Sequence, residues 1–160
     1  YADIVCIGGA SYGGYATMAG LVYTPELYRC GINAIGVTDQ IQILENFANR
    51  ASIRQSWDEE PLLEWGDIST EEGKAYAVST SPVNYVKNIQ APLLVLQGSN
   101  DYIVEAYHAE DLISELKDKG KTYEAMFQQY EGHCVTYCGE KATLEYLEIQ
   151  EDFINKYLKN

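Results

Sequence analysis

A serine flanked by glycines lies near the beginning of the sequence, in Gly9-Ala10-Ser11-Tyr12-Gly13. A serine hydroxyl becomes an effective nucleophile when a neighbouring base takes its proton, so this pattern points to acyl transfer if Ser11 stands on a sharp turn. A short apolar strand at 4–7 precedes the pattern and a helix-like stretch follows it. This context predicts a nucleophile elbow, with the Tyr12 N–H at a helix N-terminus where it can donate to an oxyanion.

A glycine-rich turn of this kind has a competing interpretation as a nucleotide-binding loop. The sequence contains no Gly-x-x-x-x-Gly-Lys-Ser/Thr, since Gly13 is followed by Gly14-Tyr15, and no Gly-x-Gly-x-x-Gly. Both phosphate-binding patterns therefore fail. We expect no cofactor, and we expect Gly9 and Gly13 to serve the close approach of strand and helix at the turn.

Only two histidines could supply the base that Ser11 needs. His133 lies in a loop between a predicted strand and the last predicted helix, where catalytic groups of parallel sheets gather. His108 lies at the beginning of a predicted helix among Glu105, Glu110 and Asp111, so we expect it on the solvated surface. The sequence therefore favours His133 as the general base.

An orienting carboxylate should lie between the serine and the histidine in sequence, because hydrolases of this type run in the order Ser, Asp or Glu, His. Asp101 follows the apolar run 93–96 and the loop Gly98-Ser99-Asn100. That place after a strand, rather than its charge, distinguishes Asp101 from the many other acidic residues. We expect its carboxylate to accept the Nδ1–H of His133 and to stabilise the imidazolium.

The four cysteines, Cys6, Cys30, Cys134 and Cys138, form no Cys-x-x-Cys pair. Cys134 and Cys138 lie beside His133, but a metal centre needs three or four well-spaced ligands, and the only other histidine is His108. We therefore expect no metal site. Cys6 and Cys30 lie in predicted apolar strands, where buried free thiols are the simplest interpretation.

Strands and helices alternate along the chain. Strands are predicted at 4–7, 31–37, 93–96 and 122–130, and helices at 14–22, 41–51, 59–65, 70–78, 105–119 and 140–158. Such alternation is typical of βαβ units around a parallel sheet, so the predicted fold class is α/β, with a four-stranded parallel sheet flanked by helices. Ser11, Asp101 and His133 each follow a strand and should meet at one edge of that sheet.

Six stretches in order carry a family resemblance: 8–16 (GGASYGGYA), 24–31 (TPELYRCG), 81–85 (SPVNY), 91–101 (APLLVLQGSND), 131–133 (EGH) and 153–158 (FINKYL). Together they resemble the catalytic domain of the prolyl oligopeptidase family of serine peptidases, particularly its acylaminoacyl-peptidase and dipeptidyl-peptidase-like members. The resemblance implies an α/β-hydrolase fold, hydrolysis of short peptides, and triad positions at Ser11, Asp101 and His133. Two alternatives stay open: a carboxylesterase that uses the same triad, and a catalytically inert fragment that acts as an interaction module.

The sequence departs from the family's pattern close to two of these positions. After Asp101 the family often has Pro-Arg-Val-Pro, of which only the valine, Val104, is kept. After His133 the family often has Gly-Phe, whereas Cys134-Val135 stands here. The region 49–78 holds much of the substrate-facing variation, so the resemblance does not imply a specificity.

Residues 1–160 are expected to form one partial domain, the C-terminal portion of an α/β-hydrolase, because ten residues before Ser11 leave room for one strand. The remaining strands, a second oxyanion donor and any β-propeller would lie upstream. We therefore expect the isolated chain to be weakly active or inactive. The strand before Ser11 should be an exposed apolar edge through which copies of the chain can pair as a homo-oligomer.

The formal net charge is −13 and no apolar run approaches 18 residues. Strong negative charge disfavours binding to nucleic acid and to anionic membranes, and the short apolar runs exclude a transmembrane helix. The expected partner is a short peptide substrate, and the expected location is cytoplasmic.

Overall fold

The computed structural model describes residues 4–51, 65–135 and 137–158. Four strands form one parallel sheet in consecutive spatial order: β1 (Cys6–Ala10), β2 (Cys30–Ala34), β3 (Leu93–Gly98) and β4 (Tyr123–Gln128). This arrangement confirms the predicted parallel sheet. β2 ends three residues earlier than predicted, because Ile35 has a φ of +45° and turns the chain out of the ladder.

Helices follow the strands as the alternation predicts. They are α1 (Tyr12–Tyr23), α2 (Gln40–Ala51), α3 (Glu71–Thr80), α4 (Tyr107–Asp118) and α5 (Glu140–Leu158), with 3₁₀ turns at Pro25–Leu27 and Pro82–Asn88. The helix expected at 59–65 falls, apart from Trp65, on residues outside the described part of the chain. Of the helices that are described, none combines the length and the apolar character of a membrane span.

The core lies on both faces of β3, which is buried along its whole length. Leu93 and Val95 pack against α1 and α4 on one face, and Leu94 and Leu96 pack against α5 on the other. Each of these side chains contributes about 1.5–3 kcal/mol of burial free energy. The continuous apolar run in this strand is therefore explained by a sheet that is covered on both sides.

β1 lies at one edge of the described sheet, as expected, and the residues that lead into it are exposed. Ile4 and Val5 have 62% and 40% of their surface accessible to solvent. Gly8 and Ala10 are also exposed. The apolar edge is therefore present, while pairing of copies through it stays a prediction.

The expectation of free thiols at Cys6 and Cys30 is wrong, because these residues form a disulfide. They are register partners on β1 and β2, with Cα atoms 4.5 Å apart, a separation that a disulfide can span. Strand register brought the two sulfurs together, and register is not readable from either apolar run alone.

α1 passes close to the sheet at two points near its beginning. A Cβ atom on Gly9 would lie 2.3 Å from the Gly13 oxygen, and one on Gly14 would lie 2.5 Å from the Gly36 Cα. A Cβ on Gly13 would meet nothing within 4 Å. The expected steric role is therefore confirmed at Gly9 but wrong at Gly13, where Gly14 takes it instead.

The neighbouring glycines of α1 offer a matched pair of substitutions. Gly14→Ala should lower the free energy of unfolding by about 1–3 kcal/mol, because the added carbon overlaps backbone that cannot move aside. Gly13→Ala should stay within about 1 kcal/mol of wild type or be slightly more stable, since alanine is the better helix former. Urea unfolding of both variants measures this, and equal stabilities would contradict the packing described here.

Candidate active site

Ser11 stands at the turn between β1 and α1 with a strained backbone. Its φ is +58° and its ψ is −120°, in a region that residues other than glycine rarely adopt. Its N–H donates to the Ala34 carbonyl at 3.0 Å, and its own carbonyl accepts from the Gly14 and Tyr15 N–H groups. The side chain makes no capping bond to the helix, so the hydroxyl is available for other partners.

Asp101 is a buried residue in the loop that follows β3. One carboxylate oxygen, Oδ1, accepts the backbone N–H groups of Ile103 at 2.9 Å and Val104 at 3.0 Å. These two bonds fix the carboxylate, and Oδ2 lies 2.7 Å from His133 Nδ1. The Asp101 side chain is fully shielded from solvent, which strengthens each of these interactions.

His133 joins the other two predicted residues. Its Nδ1 lies against the Asp101 carboxylate, which can only accept, so Nδ1 carries a proton and Nε2 is free to accept. The Ser11 hydroxyl donates to Nε2 at 2.9 Å. The imidazole is 13% exposed, so it is sheltered but reachable from solvent. The structure thus brings Ser11, His133 and Asp101 into one hydrogen-bonded chain.

Tyr12 is the first residue of α1, immediately after Ser11. The first N–H groups of a helix have no partner within the helix, and they carry the positive end of its dipole. The Tyr12 N–H is therefore one of the first N–H groups of α1 and follows Ser11 in the chain, while its role as an oxyanion donor stays a prediction.

The loop that carries His133 is tied to neighbouring elements. The Glu131 carbonyl accepts the Asn100 N–H at 2.9 Å, which joins this loop to the one that carries Asp101. The Tyr137 hydroxyl donates to the His133 carbonyl at 2.9 Å. A disulfide between Cys134 and Cys138 closes the segment directly after the histidine. Sequence reasoning missed this bond, although the short Cys-x-x-x-Cys spacing was a signal for it.

Glu131, Cys134 and Cys138 place one carboxylate oxygen and two sulfurs within 4.8 Å of one another. The donor set resembles a soft-metal site in composition. Because the two sulfurs are bonded to each other here, neither is a thiolate, which is the form that ligates a metal. In this state the two cysteines are joined to each other, and of the three side chains only Glu131 keeps an ionisable ligand group.

An open cavity of about 440 Å³ adjoins Ser11 and His133 on the side of α5. Small or apolar residues line most of it. The lining residues are Gly8, Gly9, Ala10, Ser11, Ile32, Ala34, Ile35, His133, Val135, Tyr137 and Gln150.

Four aromatic side chains form a wall at the beginning of α1, where Tyr12 follows Ser11 directly in the chain: Tyr12, Tyr15, Phe47 and Trp65. The Tyr12 and Trp65 rings stack with centroids 6.1 Å apart, and the Phe47 and Trp65 rings stack at 6.4 Å. Tyr15 meets Trp65 at a tilt, with centroids 6.3 Å apart. No local sequence pattern indicated this aromatic wall, because Phe47 and Trp65 are distant from Ser11 in the chain.

The chain is similar to known proteins of one peptidase family. The model of the prolyl oligopeptidase family matches residues 2–160. The chain is 31% identical over 131 residues to dipeptidyl aminopeptidase BIII of Pseudoxanthomonas mexicana, which covers 82% of this chain and 19% of that protein. It spans about a fifth of the length of the curated relatives it matches.

Solved structures agree with the fold. An acylaminoacyl peptidase of Pyrococcus horikoshii is 26% identical with a TM-score of 0.80, over 100% of this chain and 25% of that one. A puromycin-hydrolyzing peptidase of Mycobacterium tuberculosis is 22% identical with a TM-score of 0.81, over 99% of this chain and 23% of that one. The α/β-hydrolase fold predicted from the sequence is confirmed by these likenesses.

His108 is not on the solvated surface, and that expectation is wrong. Its side chain is fully buried at the beginning of α4, where Nδ1 accepts from the Thr38 and Asp39 N–H groups at 3.4 Å. Burial lowers the pKa of His108 to about 4, although Asp111 and Asp101 act in the opposite direction. α4 directs this side chain into the core. The apolar residues of the helix indicated its buried face, and a histidine beside them was not counted as part of that face.

The buried imidazole predicts an acid-sensitive contribution to stability. The unfolded chain binds a proton at His108 near pH 6.5, whereas the folded chain does so only near pH 4. The contribution is therefore complete above pH 6.5 and decreases by about 3 kcal/mol as the pH falls to 4. Urea unfolding at pH 7 and 4.5 should show wild type losing about 2–3 kcal/mol more than His108→Gln. Parallel losses in the two proteins would refute this assignment.

Proposed function

The chain belongs to the prolyl oligopeptidase family, and from that premise we propose that it hydrolyses peptide bonds of short peptides through an acyl-enzyme on Ser11. The observation that carries the proposal is the hydrogen-bonded chain from Asp101 through His133 to Ser11, at 2.7 Å and 2.9 Å. That geometry lets a neutral imidazole take the serine proton as the oxygen attacks a carbonyl carbon.

In the first half of the reaction, Ser11 Oγ bonds to the carbonyl carbon and its proton passes to His133 Nε2. The new imidazolium is stabilised by the Asp101 carboxylate, and the oxyanion accepts the Tyr12 N–H. His133 then gives its proton to the leaving amine as the C–N bond breaks, which leaves an ester on Ser11. In the second half, water loses a proton to Nε2 and attacks the ester carbon. His133 then returns that proton to Ser11 Oγ as the C–O bond breaks and the acid leaves.

We further propose that the substrate residue on the acyl side of the scissile bond is apolar or aromatic. Tyr12 follows Ser11 directly, and its ring is 53% exposed while it stacks on Trp65. An acyl chain bonded to Ser11 would therefore lie against the aromatic wall. Burial of an apolar side chain there would favour it over glycine or alanine.

The nucleophile is tested with a fluorophosphonate probe. Wild type should be labelled and Ser11→Ala should not, while Ser114→Ala on the exposed face of α4 should be labelled like wild type. Asp101→Asn should lower kcat by about 10⁴-fold, because the amide no longer fixes the required tautomer of His133. Labelling of Ser11→Ala would contradict the proposed role of Ser11, and an unreactive wild type would favour the catalytically inert fragment instead.

Paired assays on aminoacyl-amides and on short acyl esters separate the peptidase from an esterase. The proposal requires cleavage of the amides. Cleavage of esters alone, with Ser11 still labelled, would replace it with carboxylesterase activity on the same residues.

Substitution of Trp65 tests the substrate preference. Trp65→Ala should reduce kcat/KM for substrates with phenylalanine at the acyl position by about tenfold, the value of one lost aromatic pair. Trp65→Phe keeps a stacking ring and should stay within a few-fold of wild type. Equal losses with phenylalanine and glycine substrates would show that the aromatic wall does not select the side chain.

A further inference from the structure

We propose that the Cys134–Cys138 disulfide positions His133, and that its reduction by a dithiol lowers the reactivity of Ser11. This inference rests on the function proposed above. The triad chemistry itself does not require this disulfide. Its presence beside His133 would make the reactivity of Ser11 depend on redox state.

The His133 loop is anchored at both ends. On its upstream side the Glu131 carbonyl accepts the Asn100 N–H, which holds it to the Asp101 loop. On its downstream side the disulfide joins Cys134, which follows His133 directly, to Cys138, which lies just before α5. The imidazole is thus held between a backbone hydrogen bond and a covalent bond.

The downstream anchor is attached to a helix that packs against the sheet, α5. Near its beginning, the Thr143 N–H donates to the Gly139 carbonyl at 2.9 Å and its hydroxyl donates to the Cys138 carbonyl at 3.4 Å. Further along α5, Tyr146 and Phe153 are fully buried against the sheet. The disulfide therefore transmits the position of a packed helix to the residue beside the histidine.

The two sulfurs differ in access. Cys134 is 6% exposed, whereas Cys138 is half-buried. Val135 and Tyr137, which lie between the cysteines, line the open cavity next to Ser11. Cys138 is thus the more exposed of the two cysteines, and its Sγ is the atom that we expect a reductant to attack.

Reduction takes place in two displacements. A thiolate of the dithiol bonds to Cys138 Sγ, the Cys134–Cys138 bond breaks, and Cys134 leaves as a thiolate that takes up a proton. The second thiolate of the reductant then attacks the reductant sulfur that is bonded to Cys138 Sγ. That mixed disulfide bond breaks, and Cys138 leaves as a thiolate that takes up a proton. The protein gains two electrons and two protons, and the dithiol becomes a cyclic disulfide.

Glu131 tunes the first displacement. Its Oε2 lies 3.5 Å from Cys134 Sγ, so a departing thiolate would face a carboxylate. Like charges at that distance disfavour the thiolate, and a poorer leaving group slows exchange. Glu131→Gln should therefore be reduced several-fold faster than wild type.

The other disulfide supplies a matched control. Cys6 and Cys30 join β1 to β2, two strands that are already paired along five register positions. Loss of that bond leaves the strand pairing in place, so it should not alter His133. The Cys6→Ala/Cys30→Ala variant also leaves a single reducible disulfide, which makes the count of released thiols unambiguous.

The experiment treats the protein with dithiothreitol and follows three quantities. Mass spectrometry after alkylation counts free thiols, the fluorophosphonate probe gives the labelling rate of Ser11, and proton NMR follows the Nδ1–H of His133. In the Cys6→Ala/Cys30→Ala variant, release of two thiols should lower the labelling rate by about 10- to 100-fold and shift or broaden the NMR signal. The Cys134→Ser/Cys138→Ser variant should be labelled as slowly as the reduced protein, and dithiothreitol should not change its labelling rate.

An unchanged labelling rate and an unchanged His133 signal after two thiols have been counted would overturn the inference. Persistence of the disulfide in excess dithiothreitol would overturn its redox part. Absence of labelling in both states, with an NMR signal that still moves on reduction, would refute the proposed function and support the positioning role. The NMR signal separates these cases because a merely structural disulfide would leave the His133–Asp101 bond intact.

Discussion

The parallel register of the four strands is the constraint on which the site depends. In a parallel sheet every strand ends at the same edge, so residues that follow Ala10, Ala34, Gly98 and Gln128 are brought together from distant parts of the chain. β3 is buried on both faces and holds its neighbours in place. The hydrogen bonds from Ser11 to His133 and on to Asp101 depend on that spacing being fixed.

The same register explains why the His133 loop has to be long and well tied. β4 lies three strands from β1, a distance of about 14 Å at the usual spacing between strands. The chain after β4 must cross back over the end of β3 to reach Ser11. The Asn100 N–H holds it before His133, and the Cys134–Cys138 disulfide closes the segment directly after His133. The position of the His133 imidazole therefore depends on the loop as well as on the sheet.

The two histidines illustrate how environment decides chemistry. His133 has a carboxylate on one nitrogen and a hydroxyl on the other, so it can take up and release a proton without leaving its place. His108 accepts two backbone N–H groups inside the core, and burial lowers its pKa to about 4. The first arrangement suits proton transfer, whereas the second keeps a neutral ring that packs the loop before α2.

Much of this protein could be predicted from its sequence, because the relevant signals are local. The G-x-S-x-G turn, the apolar run before Asp101 and the loop after β4 each follow from short-range patterns, and their order along the chain indicated the fold. The pairing of Cys6 with Cys30, the burial of His108 and the joining of Phe47 and Trp65 to Tyr12 did not follow from such patterns. Strand register and helix packing decide these contacts, because they bring together residues whose separation in sequence carries no periodic signal.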